Sequence, residues 1–322
     1  MTRRTLATLS LLTASGLALA GCAASGDAEG AGGGSDSLTI VTSTSVYADL
    51  VRGVVGDAAD VTAIIDSATA DPHSYEASAQ DQLAVTKADL IVLNGGGYDY
   101  YMEQLVESGD APEAITAVEF SHDYPGAEGE EEHDHDEEAE DGHEHHHLEG
   151  FNEHVWYDPH TMTHVVEAIA EKAGELAPDD AEAFQSNADD LIAELDGLET
   201  SLESVKDEHE GATVAFTEPV GAYLAADAGL EDVTAEGFAE AVEEEQDVPP
   251  ATLLEATTAL EGGDVDVLIV NPQTAGPATD AVEQAAETGG VPVVEFTETI
   301  PDGDTYVSWM QGNIDALADA LA

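Results

Sequence analysis

Four short segments of the chain carry histidine or glutamate in settings that could bind a metal ion. They are DPHSYE (71–76), NEHVWYDP (152–159), TEP (217–219) and TET (297–299). Imidazole and carboxylate groups are common protein ligands of zinc, and carboxylates also suit harder ions such as manganese. In a chain with 70 acidic residues, any one of these side chains is more simply explained as surface charge. The case for a metal site therefore depends on whether the fold brings the four segments together.

Three of the four segments follow predicted strands. Short apolar runs rich in β-branched residues alternate with amphipathic helical stretches, which is typical of parallel sheets covered by helices. The predicted strands are 38–42, 61–65, 90–93, 115–118, 213–216, 265–270 and 291–296, and the clearest helices are 46–55, 80–88 and 279–286. Ligand sites in such folds gather at the carboxyl ends of strands. His154 differs from the others, because its segment directly precedes a helix.

A long helix is predicted between two blocks of this α/β pattern. Leu191, Leu195, Leu198, Leu202 and Val205 recur at spacings of four and three, as expected for one face of a helix over 179–208. Thirty helical residues span roughly 45 Å, and two and a half heptads are few for a coiled coil. We therefore predict an α/β protein with two lobes of mostly parallel sheet, joined by one long rigid helix. The lobes would be residues 38–178 and 209–322, with the metal site in the cleft between them.

The segment 121–150 has a different composition. It contains seven of the twelve histidines and thirteen acidic residues, with almost no apolar side chains, so it is predicted to be a long surface loop. We hypothesise that the loop collects metal weakly beside the cleft, although a merely solvated acidic loop is the simpler alternative. The candidate auxiliary ligands are His133, His135, His143, His145, His146 and His147.

The N-terminus has the features of an export signal. Arg3 and Arg4 precede a short apolar run, which ends in the sequence LAGC at 19–22, similar to a bacterial lipobox. Cys22 is the only cysteine of the chain and is the predicted lipidation site. Residues 1–22 would then be a lipoprotein signal peptide and 23–37 a flexible tether rich in Gly, Ala and Ser. We expect an extracytoplasmic protein that is anchored by lipid to the outer face of the cell membrane.

Composition excludes several other classes. A net charge of −64, from 6 basic and 70 acidic residues, excludes nucleic acid as a partner, because phosphate binding needs clustered Lys and Arg. A single cysteine excludes a disulfide framework and a thiolate metal cluster. HTMTH at 160–164 lacks the glutamate of a zincin, NGGG at 94–97 is not a P-loop but a predicted tight turn near the cleft, and no GxSxG occurs. These segments therefore give no support for hydrolytic zinc chemistry, phosphate binding or a serine nucleophile.

In this order, behind a lipobox and around a His-rich loop, the four segments resemble those of a known family. The chain is similar to the metal-specific solute-binding lipoproteins of bacterial ABC transporters, the zinc and manganese uptake class. The resemblance covers essentially the whole chain after Cys22. The matching motifs are DPHSYE, EHVWYDP, TEPVGAYL and FTETIPDGDTY.

Carried over by position, the resemblance implies His73, His154, Glu218 and Glu298 as metal ligands. Glu218 stands where zinc-type members commonly have His and manganese-type members have Glu, and Glu298 stands where Asp is usual. The implied cargo is Zn²⁺, with Mn²⁺ and Fe²⁺ as alternatives. The implied function is capture of this ion and its delivery to an ABC permease and its ATPase subunit. The chain itself would carry out no chemical reaction, so the resemblance implies that it is not an enzyme, and we expect a monomer.

Three alternatives to this function remain at the level of sequence. A binding protein of similar build could carry a metal chelate such as a siderophore or cobalamin. A metalloenzyme would need an open coordination position and a general base. A surface adhesin could use the metal as a structural ion.

The acidity beyond the candidate site and the loop also suggests a salt-adapted host, since counterions screen the repulsion among the acidic side chains.

Overall fold

A computed structural model of the protein describes residues 37–68, 70, 72–108, 111–125, 148, 150–244 and 246–322. The predicted signal peptide and tether up to residue 36, Cys22, and the six candidate histidines of the acidic loop lie outside the described residues. Residues 37–322 belong to one compact unit.

The first lobe is built on a four-stranded, all-parallel sheet. Its strands are β1 (Leu38–Thr44), β2 (Ala59–Ile65), β3 (Leu90–Leu93) and β4 (Ala114–Thr116), in the order β2-β1-β3-β4. The connecting helices are α1 (Ser45–Val55), α2 (Ala79–Lys87) and α3 (Tyr100–Glu107). All four residues of β3 are buried, as expected for a central strand covered by helices on both faces.

Two long helices follow the first sheet. The first is α4 (Pro159–Leu176), which begins where the side chain of Asp158 accepts a hydrogen bond from the His160 amide (2.9 Å) and Pro159 occupies the first helical position. The second is α5 (Ala181–His209), whose 29 residues span roughly 43 Å at 1.5 Å per residue. Its buried face contains Leu195, Leu198, Leu202 and Val205, whereas Leu191 is only partly buried.

The second lobe repeats the design of the first. Its all-parallel sheet has the order β6-β5-β7-β8, with β5 (Thr213–Phe216), β6 (Glu231–Asp232), β7 (Val267–Val270) and β8 (Val293–Glu295). The helices are α6 (Ala222–Asp227), α7 (Phe238–Glu243), α8 (Pro250–Gly262), α9 (Pro277–Gly289) and α10 (Tyr306–Leu321). The strand β6 was not predicted, because two acidic, exposed residues carry no apolar strand pattern.

The long helix contacts both lobes through side-chain hydrogen bonds. Near its start, the Asn187 amide donates to the carbonyl of Val54 in α1 (2.8 Å). In its second half, the Ser201 hydroxyl donates to Gln311 of α10 (3.1 Å). The predicted fold class, two α/β lobes of parallel sheet with a long helix, is confirmed.

The C-terminal helix α10 is a second element that joins the lobes. The backbone amide of Tyr306 donates to Asp49 of α1 (2.8 Å), and the Tyr306 hydroxyl donates to the carbonyl of Trp156 (2.7 Å). A single apolar core includes residues of β1, α4, α5, β5 and α10. The lobes are therefore held together by packing along their shared face as well as by α5.

Within the described ranges, none of the helices combines the length and apolar composition of a membrane span.

Candidate metal centre

The four predicted ligands meet at the boundary between the two lobes. His73 lies in the loop after β2, and His154 lies just before α4, so both imidazoles belong to the first lobe. Glu218 follows β5 and Glu298 follows β8, so both carboxylates belong to the second lobe. Nε2 of His73 is 3.7 Å from Oε2 of Glu298. His154, Glu218 and Glu298 are buried, and the side chain of His73 is 8% exposed.

The His73 loop is fixed from both lobes. The ring of His73 meets the edge of Tyr98, with 4.9 Å between centroids and an interplanar angle of 89°. Two residues along, Tyr75 packs against Tyr101 and donates a hydrogen bond to Asp81 (3.0 Å). From the second lobe, the side-chain amide of Gln273 donates to the carbonyl of Ala70 (2.9 Å). The imidazole is therefore positioned by contacts with both sheets.

His154 is oriented by Asn152. The side-chain Oδ1 of Asn152 lies 2.8 Å from Nδ1 of His154 and also accepts a hydrogen bond from the His154 backbone amide (3.1 Å). Because an amide oxygen can only accept, this contact places the ring proton on Nδ1 and makes Nε2 the nitrogen able to bind a metal. Asn152 also donates to the carbonyl of Pro219 (3.1 Å), and Tyr223 donates to the carbonyl of Asn152 (2.7 Å). The second and third motifs are thus joined directly.

The two carboxylates share one hydrogen-bond donor. The side-chain nitrogen of Asn271, which follows β7, donates to Oε2 of Glu218 (2.6 Å) and to Oε1 of Glu298 (2.7 Å). Thr274 donates a further hydrogen bond to Oε2 of Glu218 (2.6 Å). The side-chain oxygen of Gln273 accepts the backbone amide of Glu298 (2.7 Å). These contacts fix one oxygen of each carboxylate, and Oε2 of Glu298 lies 3.7 Å from Nε2 of His73.

The NGGG segment forms the turn that supports the histidine side of the site. Asp99 accepts the backbone amides of Asn94 (2.6 Å) and Gly95 (2.8 Å), and burial raises the pKa of Asp99 to about 6. Asn94 donates to the carbonyl of Glu153, next to His154 (3.0 Å). Gly95 has a φ of +81°, and a Cβ there would stand 2.4 Å from Cγ2 of Thr116, so only glycine fits.

A fifth side chain, Glu243, reaches the same place. It is the last residue of α7, and its Oε1 lies 3.8 Å from Nδ1 of His154. One potential ligand atom from each of His73, His154, Glu218 and Glu243 lies within 4.8 Å of the other three. The sequence offered no signal for Glu243, because it begins an acidic run, 243–245, that has the composition of a surface segment.

Carboxylates from both lobes concentrate negative charge at this site. Burial raises the pKa of Glu243 well above its usual range, and the nearby charges of Glu153, Glu218 and Glu298 raise it further. Buried carboxylates at this spacing repel one another unless a cation or a proton compensates them. The chemistry of the site is therefore that of a receptor for a positively charged ion.

The candidate pair His160 and His164 lies on α4, outside the group of ligands described above. The ring centroids of His160 and His164 are 5.0 Å apart on α4. Each ring, however, has a carboxylate beside its Nδ1: Oε1 of Glu199 lies 3.5 Å from His160, and Oε2 of Glu167 lies 3.1 Å from His164. His160 is exposed, so this pair behaves as part of a solvated surface. Cys22 and His133, His135, His143, His145, His146 and His147 lie outside the described residues, and their roles stay predictions.

Comparison with known proteins gives a consistent assignment. The family model of the zinc-uptake complex component A, periplasmic, matches residues 40–320. The high-affinity zinc uptake system protein ZnuA of Bacillus subtilis is 28% identical over 320 residues, 97% of each chain. The zinc-binding lipoprotein AdcA of Streptococcus pneumoniae is 29% identical over 96% of this chain. This chain spans only 60% of AdcA, and less than two thirds of several such relatives.

Solved structures support the same fold. The periplasmic zinc-binding protein TroA of Treponema pallidum superposes with a TM-score of 0.69 at 20% identity, over 88% of this chain and 99% of that one. The family resemblance deduced from the four motifs is confirmed by the family match, which extends over both lobes and the helix between them. The chain belongs to the family of the periplasmic component A of zinc-uptake complexes.

Proposed function

We propose that this protein captures a divalent transition-metal ion outside the cell membrane and delivers it to an ABC permease, which is driven by its own ATPase. The observation that carries the proposal is the convergence of two imidazoles and two buried carboxylates, from opposite lobes, on one small volume. The relatives of this chain include a protein named for zinc uptake, a zinc-binding lipoprotein and a manganese-transporter lipoprotein. The family consists of solute-binding proteins, in agreement with the prediction that the chain is not an enzyme.

His73, His154, Glu218 and Glu298 are the proposed ligands of the cargo ion. Two neutral imidazoles and two carboxylates balance a charge of 2+, and they suit Zn²⁺ at about 2.0–2.2 Å. The same donors also accept Mn²⁺ or Fe²⁺, because carboxylates shift preference toward harder ions. Zn²⁺ is the cargo we propose first.

A bare ion fits the site better than a metal chelate. One potential ligand atom from each of His73, His154, Glu218 and Glu243 lies within 4.8 Å of the other three, and Oε2 of Glu298 lies 3.7 Å from Nε2 of His73. A siderophore or cobalamin would need a wide cleft lined by aromatic or basic groups, rather than several protein ligands that converge on one point. The spacing of the ligand atoms therefore supports direct coordination of the ion.

The finer features of the proposal rest on sequence. Cys22 would carry the lipid that holds the protein at the outer face of the membrane, with 23–37 as the tether. The histidines of the acidic loop would collect metal weakly and raise its concentration near the site. We propose that the protein acts as a monomer that docks on the permease.

Metal analysis and competition test the proposal. Protein purified without chelators should contain one tightly bound ion per chain, and Zn²⁺ and Mn²⁺ should compete for it. His73→Ala should abolish tight binding, because it removes one of the two imidazoles. His160→Ala is the matched control, since it removes an exposed imidazole of the same lobe. Unchanged affinity in His73→Ala, or equal losses in both variants, would contradict the assignment.

A further inference from the structure

We propose that Glu243 is a fifth ligand of the same ion, and that it lets the pocket hold Mn²⁺, which prefers more than four ligands, in addition to four-coordinate Zn²⁺. The inference rests on the proposed function and deepens it, because it concerns which metals the site accepts. It assigns a coordinating role to α7, an element outside the four motifs.

The geometry carries the inference. Ligand atoms around one ion at about 2.0–2.2 Å can be at most about 4.4 Å apart, which is twice the bond length. The potential ligand atoms of His73, His154, Glu218 and Glu243 already lie within 4.8 Å of one another. Four tetrahedral bonds of about 2.1 Å separate their ligand atoms by about 3.4 Å, so the side chains would still close by up to about 1 Å around a bound ion. Glu243 thus belongs to the same compact group of potential ligands as Glu218.

The orientation of Glu243 is a second observation. The side chain is 10% exposed, whereas Glu240 of the same helix and Glu244 directly after it are exposed. Phe238 and Val242 anchor α7 in the core of the second lobe, so the helix cannot rotate freely. Burying a third carboxylate beside Glu218 and Glu298 costs free energy unless a cation compensates it. In the fold, this carboxylate lies beside the imidazole of His154, with Oε1 of Glu243 3.8 Å from Nδ1 of the ring.

The number of ligands that each metal prefers determines how much affinity it gains from Glu243. Zn²⁺ is satisfied by four ligands, which His73, His154, Glu218 and Glu298 supply without Glu243. Mn²⁺ favours higher coordination by oxygen-rich sets, so a third carboxylate should contribute more to its affinity. The contribution of Glu243 is therefore expected to be larger for Mn²⁺ than for Zn²⁺.

The test is the ratio of Mn²⁺ and Zn²⁺ affinities in matched variants of the full chain. Glu243→Gln removes the charge, whereas Glu243→Asp keeps the charge but withdraws the carboxylate by one methylene. Glu240→Gln makes the same charge change on the exposed face of α7. Each affinity is measured by competition with a chelating indicator, starting from metal-free protein.

If Glu243 is a ligand, Glu243→Gln and Glu243→Asp should both lower the Mn²⁺ affinity by at least about tenfold, and the Zn²⁺ affinity by clearly less. Glu240→Gln should change neither. Equal losses for both metals, or an unchanged Mn²⁺ affinity in Glu243→Asp, would mean that Glu243 acts only as a distant charge, and would overturn the inference while leaving the proposed function intact. Tight binding that survived His73→Ala would instead overturn the proposed function, and the inference with it.

Discussion

Nε2 of His73 lies 3.7 Å from Oε2 of Glu298, across the boundary between the two lobes. The first lobe supplies the imidazoles of the site, and the second supplies its carboxylates. Neither lobe holds a complete ligand set, so an ion bound here would connect the two sheets. The contacts of α5 and α10 keep the lobes packed on one another, which favours capture by local movement of the loops around the ion over a wide opening of the cleft.

Asn271 should control affinity without touching the ion. One amide nitrogen donates to both Glu218 and Glu298, so Asn271→Ala removes a hydrogen bond from each carboxylate at once. We expect metal affinity to fall by about 10–100-fold, as for other residues that orient ligands. Titration calorimetry measures this loss. The control is Asn187→Ala, which removes an amide hydrogen bond between α5 and α1 and should cost about 1 kcal/mol of stability with no change in affinity.

Gly221 should be intolerant of any side chain. Its φ is +78°, and a Cβ there would stand 2.3 Å from Cδ2 of Phe296, two residues before Glu298. Gly221→Ala should therefore lower the free energy of unfolding by about 2–4 kcal/mol through backbone strain and overpacking, and should weaken metal binding by displacing Phe296.

Gly197 provides the control for Gly221. It lies in α5, and a Cβ there would meet no atom within 4 Å. Gly197→Ala should be neutral or should stabilise the protein by up to about 1 kcal/mol, because alanine favours the helix. Urea unfolding of both variants compares them, and equal stabilities would contradict the predicted clash at Gly221.

Asp99 should give the protein a characteristic dependence of stability on pH. Burial raises the pKa of Asp99 from 3.8 to about 6 in the folded state. Between about pH 4 and 6 the unfolded chain ionises at this residue while the folded protein keeps the proton, so stability falls as pH rises. The loss approaches about 3 kcal/mol and is constant above about pH 6.

The variant Asp99→Asn isolates this effect, because asparagine does not titrate. The difference in unfolding free energy, wild type minus variant, should decrease between pH 4 and 6 in metal-free protein. A difference that increased over this range would show that the amides of Asn94 and Gly95 stabilise the carboxylate more than burial disfavours it.

Salt should stabilise the protein if its acidity is an adaptation to a salty environment. The 70 acidic residues far exceed what one metal site and one loop require, and their repulsion should weaken as ions screen it. The unfolding free energy of metal-free protein should rise between low and molar sodium chloride. A flat or falling dependence would refute salt adaptation. Chloride is preferred to sulfate, which stabilises proteins by exclusion from their surface.

The sequence was sufficient to predict that the four motif segments meet between the lobes. His73 and His154 stand in short motifs, and Glu218 and Glu298 follow strands whose apolar runs are easily recognised. The order of parallel strands then brings these ends together. Strand limits differed by a few residues, since β7 begins at Val267 and not at 265, and β8 covers Val293–Glu295 and not 291–296.

The remaining parts depend on tertiary contacts that no local pattern encodes. Asn271 bridges Glu218 and Glu298 only because β7 lies between β5 and β8 in the sheet. Glu243 is distinguished from its acidic neighbours only by the way α7 packs. The role of α10 in joining the lobes likewise follows from its return to Asp49 and Trp156, which an amphipathic pattern cannot reveal.

A crystal structure of the full chain loaded with Zn²⁺ tests the central claim most directly. The account predicts one fully occupied ion between the lobes, with a nitrogen of His73 and Nε2 of His154 within about 2.0–2.2 Å and carboxylate oxygens of Glu218 and Glu298 completing its shell. An ion held elsewhere, or one at this position that lacked either imidazole, would contradict the account.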